Sequence, residues 1–91
     1  MNLAQTVTIS PDAIHQEVSG ETVILDLKSE NYFGLDEVGT RIWQLTEETG
    51  SLQDVYDRML AEYDVTAEQL EEDMGELFSK LAKMGLVELS D

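Results

Sequence analysis

Three consecutive acids, Glu71, Glu72 and Asp73, and one histidine, His15, are the residues best suited to acid–base or metal chemistry. The acids fall in a predicted helix, where neighbours lie about 100° apart. They therefore fan around the helix and do not converge on one proton or one ion. His15 falls on the polar side of a predicted strand, and no predicted helix carries a histidine to complete a carboxylate–histidine metal set. The chain has no cysteine, which removes thiolate ligands, cysteine nucleophiles and disulfides. No serine sits in a recognisable nucleophile motif. No catalytic residue, metal site or cofactor is expected, and the protein reads as a non-enzyme.

The main chain offers a different chemistry. "NYFGLDEVGTRIWQL", Asn31 to Leu45, begins as a short strand and becomes a helix with no linker. If the preceding chain meanders, this strand is a sheet edge with unpaired N–H and C=O groups. Natural edges are usually blunted by charge, proline or a bulge, and Tyr32, Phe33, Gly34 and Leu35 carry none of these. An extended peptide could add here as a further strand. Four new backbone hydrogen bonds contribute about 0.5–1.5 kcal/mol each, whereas micromolar affinity needs about 8 kcal/mol. An apolar cleft beside the strand must then supply the rest. The competing reading places Phe33 in the core and leaves Tyr32 a half-exposed strand residue.

The elements that would position this edge follow from pattern. Val7 and Ile9 alternate with Thr8, and "SPD" interrupts them, which marks an extra N-terminal strand. Ile14, Gln16 and Val18 point away from His15 and Glu17. Ser19-Gly20 is a hairpin signal. Val23, Leu25 and Leu27 share a face opposite Ile24 and Asp26, and "KSEN" turns the chain into the strand at Tyr32–Leu35. Three helices follow. Asp36, Ser51 and Thr66 are their N-caps, Thr66 and Gln69 form a capping box, and Gly50 and Gly85 are stops. "LVEL", Leu86 to Leu89, reads as a last strand. The sheet's apolar face needs cover, which the helices supply. The predicted fold is a single α+β domain over residues 1–91, winged helix-turn-helix-like, with a three-stranded antiparallel sheet followed by three helices. The third helix has an apolar arc of roughly 160°, wider than the 100° or so that one core needs. Gly75 in its middle could permit close approach of another backbone.

Charge narrows the partners. Twenty acidic residues against five basic ones give −15 at pH 7. Nucleic-acid affinity comes largely from Lys and Arg on phosphates, so the helix-turn-helix outline is scaffold and no nucleic acid is expected. Anionic membranes are disfavoured for the same reason, and no apolar run approaches the roughly 18 residues of a span. The N-terminus has neither a basic start nor a long apolar stretch, so no signal peptide is expected and the location expected is cytoplasmic.

The stretches "GETVILDLKSENYFGLDEVGTRIWQL", "GSLQDVYDRMLAEYDV" and "LEEDMGELFSKLAKMGLVE" together resemble the PqqD-like family. These are the precursor-recognition domains of ribosomally made, post-translationally modified peptide pathways. The resemblance covers about Ile14 to Glu88 and is most specific at Tyr32–Trp43 and Asp73–Gly85. It implies that a leader peptide pairs antiparallel with the third strand and places apolar side chains between that strand and the third helix. On this chain the binding residues would be Asn31, Tyr32, Phe33, Gly34 and Leu35 on the strand. On the helix they would come from Leu70, Asp73, Met74, Leu77, Phe78 and Leu81. The chain is most similar to stand-alone recognition proteins of lasso-peptide systems. There the partners would be a precursor leader, a leader-cleaving cysteine protease and an ATP-dependent cyclase. The second reading is a peptide chaperone for a radical-SAM enzyme, as in PQQ biosynthesis.

Overall fold

In the computed structural model, which describes Met1–Asp91, the order is β1 (Thr6–Ile9), β2 (Ala13–Val18), β3 (Glu21–Asp26), β4 (Tyr32–Leu35), α1 (Glu37–Thr49), α2 (Leu52–Glu62), α3 (Ala67–Lys83) and β5 (Val87–Ser90). The fold is α+β, with the antiparallel sheet β2-β3-β4 followed by three helices. The two outlying strands expected at the chain ends pair with each other, β1 antiparallel to β5, in a separate small sheet. No helix is long and apolar enough to cross a membrane.

Local chemistry fixes each junction. Ser19 and Gly20 both have positive φ, at 53° and 82°, as a tight hairpin between β2 and β3 requires. The turn from β3 to β4 is organised by Asp26. Its carboxylate accepts from the Ser29 hydroxyl at 2.8 Å and the Lys28 N–H at 3.2 Å, and its own N–H donates to the Asn31 carbonyl at 2.9 Å. Asp36 caps α1 by accepting from the Gly39 N–H at 2.8 Å. A Cβ on Gly39 would lie 3.2–3.3 Å from the Leu35 and Asp36 side chains, so glycine here lets the helix start directly against the strand. Ser51 and Thr66 cap the next two helices. The capping box of α3 is only half made. Gln69 donates its N–H to Thr66, but its side chain turns forward to Asp73 at 2.9 Å.

The core lies between the sheet and the helices. Ile24, Trp43, Leu45, Leu52, Met59, Met74, Phe78 and Leu81 are all 2% exposed or less, each worth about 1.5–3 kcal/mol in apolar burial. A buried Thr22–Thr40 hydrogen bond of 2.9 Å pins the hairpin to α1. Arg41 joins α1 to α2 through a two-pronged contact with Glu62 at 2.7 and 2.8 Å. That contact raises the Arg41 pKa and lowers that of Glu62.

The covered face of the sheet is not the more apolar one. The helices cover the face of β3 that carries Thr22, Ile24 and Asp26, together with Phe33 and Leu35 of β4. The more apolar face, with Ile14, Val18, Val23 and Leu25, is left open to solvent. The reason is the absence of a linker after Leu35. α1 must lie on the side to which Leu35 points, and register places Thr22 and Ile24 on that side too.

Two predictions concern this scaffold. The Ser29 hydrogen bond, and then that of Lys28, hold the Asp26 carboxyl below its ordinary value of 3.8. A carboxyl lowered in the folded state adds stability above its unfolded pKa and loses it as pH falls through the folded value. Asp26→Asn should therefore be less stable than wild type at neutral pH, with the gap closing below pH 3.8 in urea titrations. Gly75 needs no close approach: a Cβ there would meet only the Met1 side chain at an ordinary 3.8 Å. Gly75→Ala should raise stability by about 0.5–1 kcal/mol through helix propensity, read as a higher melting temperature.

Candidate functional site

β4 is an edge of its sheet. In an antiparallel pair, residues whose N–H and C=O groups both face the neighbour alternate with residues whose groups face away. The Asp26–Asn31 bond sets the phase. With Asn31 facing β3, so do Phe33 and Leu35, opposite Ile24 and Thr22. Tyr32 and Gly34 turn their N–H and C=O groups outward. The bond from the Leu27 N–H to the Asp12 carbonyl gives the same phase across β3, whose odd residues face β2 and whose even residues face β4. The open edge thus presents two residues with two polar groups each.

Side chains alternate independently. Phe33 and Leu35 point to the helical side, and Tyr32, 70% exposed, points to the open face. Beside β4 runs an open groove of about 540 Å³. One wall is Phe33 to Asp36 with Val38, Gly39 and Ile42 of α1; the other is Asp73, Glu76, Leu77 and Lys80 of α3. The α3 positions recur at intervals of three and four, so they form one stripe along the helix. Leu35 and Ile42 close the floor, at 5% and 3% exposure, while Phe33 and Leu77 are half-buried and Val38 is exposed. At the rim, the carboxylates of Asp36, Asp73 and Glu76 outnumber one ammonium, Lys80. Asp36 is occupied by its cap and Asp73 by Gln69, which leaves Glu76 the least engaged acid. No group of three or more metal-ligating side chains converges anywhere. The groove can take apolar side chains from an extended segment while the edge hydrogen-bonds its backbone.

Of the residues singled out from sequence, Phe33, Gly34, Leu35, Asp73 and Leu77 meet at the groove. Asn31 lies in the preceding turn with its carbonyl bonded to Asp26, and Tyr32 contributes backbone only. Leu70, Met74, Phe78 and Leu81 are in the core at 3%, 0%, 1% and 1% exposure. They anchor α3 in the core and do not line the groove. Six lining residues were not foreseen: Asp36, Val38, Gly39, Ile42, Glu76 and Lys80. A signal for some of them existed, because Asp73 and Lys80 border the apolar arc of α3, and a groove between two elements is lined by borders rather than centres.

The sequence profile of the coenzyme PQQ synthesis protein D (PqqD) family matches residues 21–87. The chain belongs to the PqqD family. The matched region includes β3, β4 and all three helices, so every element that forms the groove is family structure. A solved structure described as TbiB1 in complex with the TbiA(beta) leader peptide is 38% identical to this PqqD-family chain. The likeness covers 88% of this chain and 93% of that one, with a TM-score of 0.83. A second, described as lasso peptide synthetase B1 complexed with the leader peptide, shares the fold at 24% identity. It covers 91% of this chain and 98% of that one, with a TM-score of 0.80. No curated protein sequence matches the chain.

Proposed function

We propose that this protein is a non-catalytic adaptor of lasso-peptide maturation. It binds the leader of a ribosomally made precursor by adding it as a fourth strand beside β4, and it presents the precursor to a leader-cleaving cysteine protease and a cyclase in the cytoplasm. The observation that carries this reading is the open edge of β4 lying directly against an apolar groove. The TbiB1 relative, whose solved complex holds a leader peptide, supports it.

The energetics fit. Tyr32 and Gly34 offer two groups each, hence four hydrogen bonds, or about 2–6 kcal/mol. Leader residues opposite Phe33 and Leu35 point into the groove, and two apolar side chains buried there add about 1.5–3 kcal/mol each. Ordering the peptide offsets part of this, so micromolar affinity, about 8 kcal/mol, draws on the upper part of these ranges. The acidic rim favours a basic residue beside Glu76. Tethering then raises the precursor's local concentration at the enzyme, toward about millimolar, without touching the reacting atoms.

The test is a titration of the isotope-labelled protein with a synthetic leader. One-to-one saturation with the largest amide shifts at Tyr32 and Gly34 is expected. Saturation with shifts confined to β2 or α2 would exclude this mode. The family's PQQ description favours a second reading, a peptide chaperone for a radical-SAM enzyme, with the same strand addition. Neighbouring genes separate the two: a protease and an asparagine-synthetase-like cyclase for the first, a radical-SAM enzyme for the second.

A further inference from the structure

Asp26 is the last buried residue of β3, and the next fully buried residue along the chain is Leu35. Between them Leu27 to Tyr32 are all exposed. Core packing therefore anchors the far end of β4, at Leu35, and leaves the near end, at Tyr32, to hydrogen bonds. These converge on Asp26. Its N–H donates to the Asn31 carbonyl at 2.9 Å, and its own carbonyl accepts from the Glu30 N–H at 2.7 Å. Its carboxylate accepts from the Lys28 N–H and, at 2.8 Å, from the Ser29 hydroxyl. The Ser29 oxygen accepts in turn from the Asn31 N–H at 3.3 Å. Both backbone groups of Asn31 are thus tied to Asp26, the carbonyl directly and the N–H through Ser29.

We infer that Asp26, acting through Ser29, is a positioning residue for leader binding: it presets the outward backbone of Tyr32 without touching the guest. This deepens the strand-addition reading and rests on it. With both Asn31 groups turned toward β3, alternation turns those of Tyr32 away from it. Tyr32 supplies two of the four backbone groups that grip a guest strand. Its side chain is 70% exposed, so packing does not hold it. If the turn slackens, the end of β4 must be ordered when the leader binds, and affinity falls by the cost of ordering it.

Two features direct that slack to β4. Glu30 has a φ of 63°, a left-handed conformation that residues other than glycine seldom adopt. Such a residue persists only while its surroundings over-determine it. Here those surroundings are the Asp26 and Ser29 bonds on either side of it. Once they are cut, Glu30 relaxes and carries Asn31 out of line. The β3 side of the turn is held separately, by the Leu27 N–H on the Asp12 carbonyl at 2.9 Å, and stays in place.

The test compares Ser29→Ala, Ser29→Thr, Asp26→Asn and the double variant Asp26→Asn/Ser29→Ala in the full chain, at a temperature where circular dichroism shows each folded. Ser29 is exposed, so its substitutions leave the core intact. The probe is the synthetic leader of the precursor encoded beside this protein, and amide hydrogen exchange is read on the free proteins. Ser29→Ala should weaken leader binding by about tenfold and speed exchange at the Asn31 N–H. Ser29→Thr keeps the hydroxyl and should bind within about twofold of wild type. Asp26→Asn leaves one of its two donors unmet and should also weaken binding. The double variant should lose little more than the weaker single, because the two residues act as one unit. Fully additive losses overturn the route through Ser29. A Ser29 that only stabilised the fold would lower the melting temperature of Ser29→Ala and leave the affinity of the folded protein unchanged. That result, with wild-type leader shifts at Tyr32 and Gly34, overturns the positioning role alone. Wild-type shifts confined to β2 or α2, or no leader binding, overturn the strand-addition reading and this role with it.

Discussion

Gly34→Pro should cost at least about tenfold in leader affinity while the circular dichroism spectrum and melting temperature stay near wild type. The Gly34 N–H faces away from β3, so proline removes a donor that the fold does not use. An edge position with an outward N–H is where a sheet tolerates proline, and the preceding residue is already extended, as proline demands. The guest strand, by contrast, loses a hydrogen bond and meets the pyrrolidine ring where its carbonyl should lie. An acceptor stranded at a half-buried interface costs about 1–3 kcal/mol. Phe33→Pro is the control with the opposite outcome. The Phe33 N–H points inward to Ile24, so that substitution breaks the ladder between β3 and β4 and lowers stability first. Equal loss of leader affinity in both variants, with both folds intact, would sink the assigned phase of the edge.

The second large effect separates two adjacent residues. Leu77→Asp should abolish measurable leader binding and leave a folded protein, whereas Phe78→Asp should prevent folding altogether. Leu77 is half-buried on the groove wall, and a carboxylate there can reach water. It would place a charge where the guest's apolar side chain belongs and add to a rim that already holds Asp73 and Glu76. Phe78 is 1% exposed in the core. Truncating a core phenylalanine alone costs about 3–5 kcal/mol, and a buried unpaired carboxylate costs more. Together these approach the whole stability of a domain, about 5–15 kcal/mol. Met74, 0% exposed, belongs with Phe78 in this respect. A thermal melt beside a peptide titration reads both outcomes, and a cooperative melt for Phe78→Asp would contradict the core assignment.

What could be read from sequence is what local chemistry dictates. The Ser19-Gly20 hairpin, the three N-caps and the helix stops depend on a few neighbouring residues, and each appears where its residues demand. The unblunted edge was legible for the same reason: Tyr32 to Leu35 lack the devices that protect edges, and β4 is an edge. The phase of that edge was not legible. Whether Phe33 or Gly34 faces outward depends on one pairing, Asp26 with Asn31, made across a turn. The covered side of the sheet was not legible from composition, because apolar count favours Val23 and Leu25 over Thr22 and Ile24. The direct junction at Leu35, a constraint on geometry and not on composition, outweighs that count. On α3 the family resemblance offers Leu70, Met74, Phe78 and Leu81 as binding residues, but these are the helix's strongest apolar positions and the core takes them.

Only Tyr32 and Gly34 offer their backbone outward, so the edge can grip about four or five residues of a guest. Backbone groups are the same in every peptide, and only the two guest positions that enter the groove are tested for shape. A recognition tag so brief leaves the remainder of a precursor free to drift. Under this reading, cargo and address evolve separately: the modified portion can diversify into new products while the same small protein continues to deliver it. The tag should be portable, and grafting it onto an unrelated peptide should be enough to recruit that peptide.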